Sequence, residues 1–250
     1  MERYKEIERS IIKKFRKTIW NCFVGAVNEY ELIKEGDKIA VCISGGKDSM
    51  LMAKCMQELH RHSLYPFELV FLVMNPGYNK ENARLIQHNA EVMNIPITVF
   101  ESNIFDVVTD AGGSPCYLCA RMRRGCLYSK AKELGCNKIA LGHHFDEVVE
   151  TFVLNLAYEG RIGTFSPVTY LSRKDLTMIR PLIYTQEKDI KYFINKNPSL
   201  PLVQSTCPAD KKTQREEVKA FLAEYEKKNK GLKHRILGAI QRAELDGFHE

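Results

Sequence analysis

The stretch "KIAVCISGGKDSMLMAKCMQELH", residues 38–60, decides how the chain is read. Its first six residues are a short apolar run bounded by a turn signal, which predicts a strand over 38–43. Gly45 and Gly46 then break the run, and everything from Lys47 reads as helix. A strand that turns through glycines into a helix brings backbone N–H groups and the positive end of a helix to one point. That arrangement receives an anion. Gly45 and Gly46 let the backbone approach phosphate oxygens, and Ser44 and Ser49 add hydroxyl donors. Lys47 supplies charge, and Asp48 suits a magnesium ion bridging phosphates.

The same alternation continues downstream. "FELVFLVM" (67–74), "ITVFES" (97–102) and "KIALGH" (138–143) read as strands, separated by helical segments over 79–94 and 117–134. A further helix is expected at "DEVVETFVLNLAYEG" (146–160). Strands alternating with helices predict an α/β fold, a doubly wound parallel sheet covered on both faces. Ile7, Ile11, Ile12, Phe15, Ile19 and Phe23 recur at helical spacing, so residues 3–28 form one or two amphipathic helices. They cover the sheet or form a homodimer contact. Trp20 belongs with this packing. Past residue 160 the rhythm loosens, and no element is assigned to "RIGTFSPVTYLSRKDLTMIRPL" (161–182). The chain ends in helical segments. The expected organisation is an N-terminal helical segment (1–30), a nucleotide-binding catalytic domain (31–200), and a late loop with C-terminal helices packed on it (201–250).

At 44% hydrophobic and 27% charged residues, the composition is that of a soluble globular protein. No apolar run approaches the roughly 18–20 residues that cross a bilayer. The charged N-terminus lacks a secretory core, so the expected setting is cytoplasmic, away from membranes. Eight cysteines in such a chain are thiols, metal ligands or catalytic groups rather than disulfides. Cys22, Cys42, Cys55 and Cys136 sit among apolar or helical residues and are assigned to packing. The net charge of +6 is clustered. Lys13, Lys14, Arg16 and Lys17 form one group, and Arg121, Arg123 and Arg124 another. A third runs from Lys211 and Lys212 through Arg215 to Lys233 and Arg235. Each could be a solvated helix face; three around a phosphate loop point to RNA.

"SPCYLCARMRRGC" (114–126) carries the remaining chemistry. Its CxxC pair offers two soft ligands, too few for a closed metal site, and fits a redox dithiol as well. Cys126 stands two helical turns past Cys119, roughly 10 Å by helical rise, too far to share one ion. Cys207, in a loop that Pro208 keeps irregular, is the better third ligand. His143 and Gly142 end a predicted parallel strand, where such folds place their ligand crevice. Asp146, just beyond, suits either a helix cap or catalysis.

The loop matches neither the Walker pattern nor GxGxxG. SGGKDS closely resembles the PP-loop of the ATP pyrophosphatase superfamily, whose members cleave ATP between the α and β phosphates and pass AMP to an oxygen. "EGDKIAVCISGGKDS", "PCYLCARMRRGCLY", "GHHFDE", "MIRPL" and the Cys-then-TQR stretch at 207–215 together resemble the tRNA 2-thiocytidine synthetases, over about residues 5–225. The resemblance implies ATP, Mg2+ and a 4Fe–4S cluster on Cys116, Cys119 and Cys207, though zinc suits the same cysteines. It implies tRNA as substrate, a sulfur donor such as a cysteine desulfurase, and catalytic roles for Lys47, Asp146 and Arg123. In related thiouridine synthetases the last two flank the reacting base. Two departures stand out. The late loop lacks the second CxxC common in the family, and GHHFDE lacks its usual arginine and aspartate pair. A 2-thiouridine synthetase, a lysidine synthetase and a metal-stabilised RNA-binding protein remain as other readings.

Overall fold

In the computed structural model, β1 (Lys38–Ile43) runs between two parallel neighbours, β2 (Glu68–Asn75) and β4 (Lys138–Ala140). The structure describes residues 2–75, 80–102, 115–203 and 214–249, with backbone alone over 115–120. Beyond β2 lies β3 (Ile97–Glu101), also parallel. Beyond β4 lies β6 (Leu176–Ile179), parallel again, and β5 (Val168–Leu171) closes that edge as its antiparallel partner. The strand order among the described residues is therefore 3-2-1-4-6-5. The chain builds outward from β1 in one direction, then returns to build in the other. The switch between β1 and β4 opens a crevice at the C-terminal ends of the strands.

Side-chain alternation sends β1 to two cores. Ile39, Val41 and Ile43 join a large cluster on one face; Ala40 and Cys42 join a smaller one on the other. The large cluster takes in α3 (Lys47–His62), α4 (Lys80–Met93), α6 (Phe145–Leu154) and α7 (Glu187–Asn195). The smaller is covered by α5 (Pro115–Glu133), through Ala131, Leu127 and Tyr128. The C-terminal α8 (Gln214–Lys228) and α9 (Leu232–Arg242) pack against α6.

The N-terminal segment runs from α1 (Arg3–Arg9) through two π-helical turns to α2 (Asn21–Glu29). Ile7, Ile11, Phe15, Ile19 and Phe23 are buried in the large core, Ile12 is only half-buried and outside it, and Trp20 packs against it half-buried. The amphipathic stripe is thus consumed within the chain as a cover for the sheet. Lys54 of α3 secures it: fully buried, its ammonium donates to Glu8 at 2.6 Å and to the Met93 carbonyl at 2.8 Å.

Two boundaries differ from the sequence reading. The predicted strand 138–143 stops at Ala140: the Leu141 N–H still donates to the Ile179 carbonyl at 3.0 Å, but Gly142 has turned away to pass the N-terminus of α3. The segment 161–182, left unassigned, contains the β5–β6 hairpin. Cys42, Cys55 and Cys136 are buried, as packing predicts, and Cys22 is half-buried. Burial pushes the Cys42 thiol up to about 12, so it stays protonated. No helix among the described residues is long and apolar enough to cross a membrane.

Candidate active site

At the end of β1 the chain enters a loop that only glycine fits. Gly45 has φ +82°, and a Cβ there would lie 2.6 Å from Val203 Cγ2 and 2.8 Å from Ile86 Cγ1. The Ser44 N–H donates to Ser49 Oγ at 3.1 Å, and the Ser49 hydroxyl to the Gly46 carbonyl at 3.0 Å. These bonds curl the loop over the start of α3. Gly46, the N-cap residue, brings no side-chain cap. The first-turn N–H groups and the positive helix end therefore face the crevice. Gly142 lets the strand β4 loop press close: a Cβ there would sit 3.1 Å from the Ser49 nitrogen.

Ser44, Asp48 and Ser49 line a cavity of about 580 Å³, together with Gly142, His143, Glu147, Arg123, Arg124 and Arg180. This volume suits a nucleotide-sized ligand. One carboxylate oxygen of Asp48, Oδ1, has no hydrogen-bond partner among the described residues. The other takes Lys47 Nζ at 3.0 Å. Lys47 itself bridges to Glu187 Oε1 at 3.2 Å. Burial works against its charge, but Asp48 and Glu187 outweigh it and hold the ammonium above its usual range.

His143 packs its ring against Phe165, with centroids 5.0 Å apart. Burial, with the nearby Arg180 charge, pushes its imidazole down to about 3, so the ring is neutral. Its Nδ1 has no partner among the described residues. Arg180 follows β6 and is only 7% exposed. Burial draws its guanidinium down to about 10, which leaves it charged at neutral pH.

The carboxylates after the histidines divide. Glu147 Oε2 accepts the His144 N–H at 3.2 Å, and the residue lines the cavity. Asp146, expected beside the reacting base, does not line it. Its Oδ2 accepts the Glu187 N–H at 2.7 Å, and its Oδ1 takes Lys233 Nζ at 2.6 Å. Burial opposes its charge, but the Lys233 bond and the Glu187 N–H hold the carboxyl below its usual range.

Of the basic groups, Lys13, Lys14, Arg16 and Lys17 are exposed on one face of the N-terminal segment, and Arg121 and Arg124 on α5. Lys233 and Arg215 turn inward instead: Lys233 pairs with Asp146, while Arg215 donates to Thr151 at 3.2 Å. Cys116 and Cys119 occupy the first turns of α5. Their side chains, and Cys207, Lys211 and Lys212 altogether, lie outside the described residues. Among the described residues no group of three or more metal-binding side chains forms. Cys126 is a free, half-buried thiol.

The PP-loop domain model matches residues 8–225. The chain is 36% identical over 231 residues to the tRNA-cytidine(32) 2-sulfurtransferase of Geobacter sulfurreducens, covering 90% of this chain and 89% of that protein. It is 35% identical over 237 residues to the same-named protein of Vibrio parahaemolyticus, covering 92% and 77%. The chain belongs to the tRNA 2-thiocytidine synthetase family of PP-loop proteins. Members of this family are ATP-dependent tRNA sulfurtransferases. The U34-tRNA thiolase NcsA of Methanococcus maripaludis, solved with its [4Fe-4S] cluster, shares the fold at a TM-score of 0.68 and 22% identity, over 89% of this chain and 79% of that one.

Sequence reasoning found the phosphate loop and the end of β4, which the fold brings together with Arg123 at one cavity. It did not single out Arg180 or Glu187. Arg180 lies within "MIRPL", one of the stretches that carry the family resemblance, but nothing in that stretch assigns the arginine a role.

Proposed function

We propose that this chain thiolates a cytidine of tRNA at C2, in the cytoplasm, with sulfur from a donor such as a cysteine desulfurase. The observation that carries the reading is the cavity where an uncapped PP-loop and the half-free Asp48 carboxylate meet arginines from α5 and β6. The ATP triphosphate lies on Ser44–Ser49. The base O2 attacks the α-phosphorus, and pyrophosphate leaves with the displaced electron pair. Sulfide then attacks C2, the C2–O bond breaks, and AMP departs with that oxygen. Adenylation is needed because an unactivated oxygen is a poor leaving group.

Asp48 fits Mg2+, which keeps few protein ligands and shares the phosphates; when bound it neutralises phosphate charge. Cys116, Cys119 and Cys207 are the thiolates that would hold a 4Fe–4S cluster, which would supply the sulfur-transfer chemistry. Arg123 supplies permanent positive charge beside the reacting base. Neutral His143 offers a ring nitrogen without charge. Of the two acids after the histidines, Glu147 lines the cavity and suits the cytosine amino group, whereas Asp146 supports the site from behind. A base must leave its stack to enter, which favours a tRNA loop over a duplex.

The test is anaerobic incubation of the chain with ATP, a sulfide source and unmodified tRNA, followed by nucleoside mass spectrometry. AMP release with 2-thiocytidine is the expected result. Appearance of 2-thiouridine or lysidine in its place would overturn the cytidine assignment.

A further inference from the structure

Arg180 is a buried cation with no ion-paired carboxylate among the described residues. More than nine-tenths of it is hidden from solvent, and it stands at the cavity wall just after β6. Its contacts are all neutral. It donates to the Ser166 carbonyl and to Thr169 Oγ1 at 3.1 Å, and it lies 3.0 Å from Met178 Sδ. The guanidinium carbon stacks over Phe165 at 5.0 Å from the ring centroid. No carboxylate forms an ion pair with it among the described residues, and its Nε has no partner there. Burying a charge in this way opposes folding by several kcal/mol unless an opposite charge arrives. The neutral contacts fix the orientation of the fork; Glu147, across the same cavity, attracts the charge from a distance but forms no ion pair with it.

We propose that Arg180 binds the α-phosphoryl oxyanion of the nucleotide, both in the adenylated base and in departing AMP. This rests on the proposed function and names the residue that stabilises its leaving group. Location selects the α-phosphoryl group. The distal phosphates belong over the N-terminus of α3, at the end of β1. Arg180 ends β6, two strands away in the order β1-β4-β6 and so roughly 10 Å across the sheet. It therefore meets the part of the substrate that joins nucleotide to base. An RNA backbone phosphate would call for an exposed group, and the exposed Arg121 and Arg124 are placed for that.

The charge change in the second step matches this placement. While the base is adenylated, the phosphoryl group is a diester with one negative charge. When sulfur bonds to C2, the electrons of the C2–O bond settle on the phosphoryl oxygen, and AMP leaves as a dianion. A fixed guanidinium favours that developing charge more than it favours the bound adenylate.

The test uses the full chain with Arg180→Met, which keeps length and removes charge, and Arg180→Lys. AMP affinity is measured by calorimetry, thiolation under single turnover, and tRNA affinity across a salt series. Arg180→Met should fold at least as stably as wild type, bind AMP at least about tenfold more weakly, and thiolate about a hundredfold more slowly. Its tRNA affinity and salt slope should stay at wild-type values. Arg180→Lys should recover only part of the AMP affinity, since an ammonium lacks the planar fork. Wild-type AMP affinity in Arg180→Met overturns the assignment, as does a reduced salt slope, which would make Arg180 an RNA contact. If Arg180→Met does not fold, wild-type AMP affinity in Arg180→Lys overturns it equally. A wild-type chain that binds no AMP would instead sink the proposed function.

Discussion

Lys47 Nζ lies 3.2 Å from Glu187 Oε1, so the lysine of the phosphate loop is tied to the first residue of α7. Glu187 also gathers Lys191 and Lys219, each at 3.1 Å. Burial opposes its charge, but Lys191, Lys47 and Lys219 together hold its carboxyl at about 2. A depressed carboxyl contributes stability above its unfolded value and loses it as pH falls through the folded one. The network is therefore intact at all working pH values.

Lys47→Ala should reduce ATP turnover about a hundredfold while leaving iron content unchanged, because it touches phosphate rather than cysteine. Glu187→Gln should weaken ATP binding only several-fold, since Asp48 still holds Lys47, but should cost about 2 kcal/mol of stability. Paired ATP titrations and denaturant melts read both. Unchanged stability in Glu187→Gln would mean the lysines find other partners.

The two acids after the histidines should separate by phenotype. Asp146→Asn strands Lys233 and should destabilise the fold by roughly 3 kcal/mol. Its depressed carboxyl makes this loss visible above about pH 4 and absent in stronger acid. Glu147→Gln should keep the melting temperature and reduce thiolation at least about tenfold. An Asp146→Asn chain that is stable yet inactive would return the catalytic role to Asp146.

These contrasts mark what the sequence could disclose. The phosphate loop was legible because strand, glycines and helix are contiguous, and glycine there is compelled by φ +82° and by Val203. The β5–β6 hairpin was not. Its strands are four residues each, and their connection, "SRKD", has no glycine or proline to mark a turn. Lys233 stood in a basic run that pointed to RNA, because its partner Asp146 lies far away in the chain. Arg180 lay inside a stretch legible only as a family motif; only packing reveals that it is buried with no ion-paired carboxylate among the described residues.

Glu150 of α6 should give stability an alkaline limit. It is 2% exposed, and its Oε1 has no partner among the described residues. Burial raises its carboxyl to about 7, with Lys219 and Arg215 opposing and Asp146 reinforcing. A raised carboxyl contributes stability below its unfolded value and loses it as pH rises through the folded one. Glu150→Gln should therefore melt a few degrees higher than wild type at pH 8 and no higher at pH 4.5. Equal differences at both pH values would show that Glu150 does not titrate.

The cysteines provide the last separation. If Cys116, Cys119 and Cys207 share a cluster, alanine at any one should remove iron and thiolation together. ATP binding should survive in all three, because the phosphate loop draws on other residues. Cys126→Ala should keep both iron and activity, although Cys126 lies nearer in sequence to the CxxC than Cys207 does. The reason is helical geometry. Pro115–Glu133 is one continuous helix, so Cys126 stands two turns beyond Cys119, roughly 10 Å along the axis. Cys207 precedes α8, which packs against α6, the helix that begins at the cavity rim. Iron analysis after anaerobic reconstitution, paired with nucleoside mass spectrometry, reads all four variants. Full iron and activity in Cys207→Ala, or their loss in Cys126→Ala, would remove this ligand set; zinc in place of iron in the wild type would remove the cluster itself.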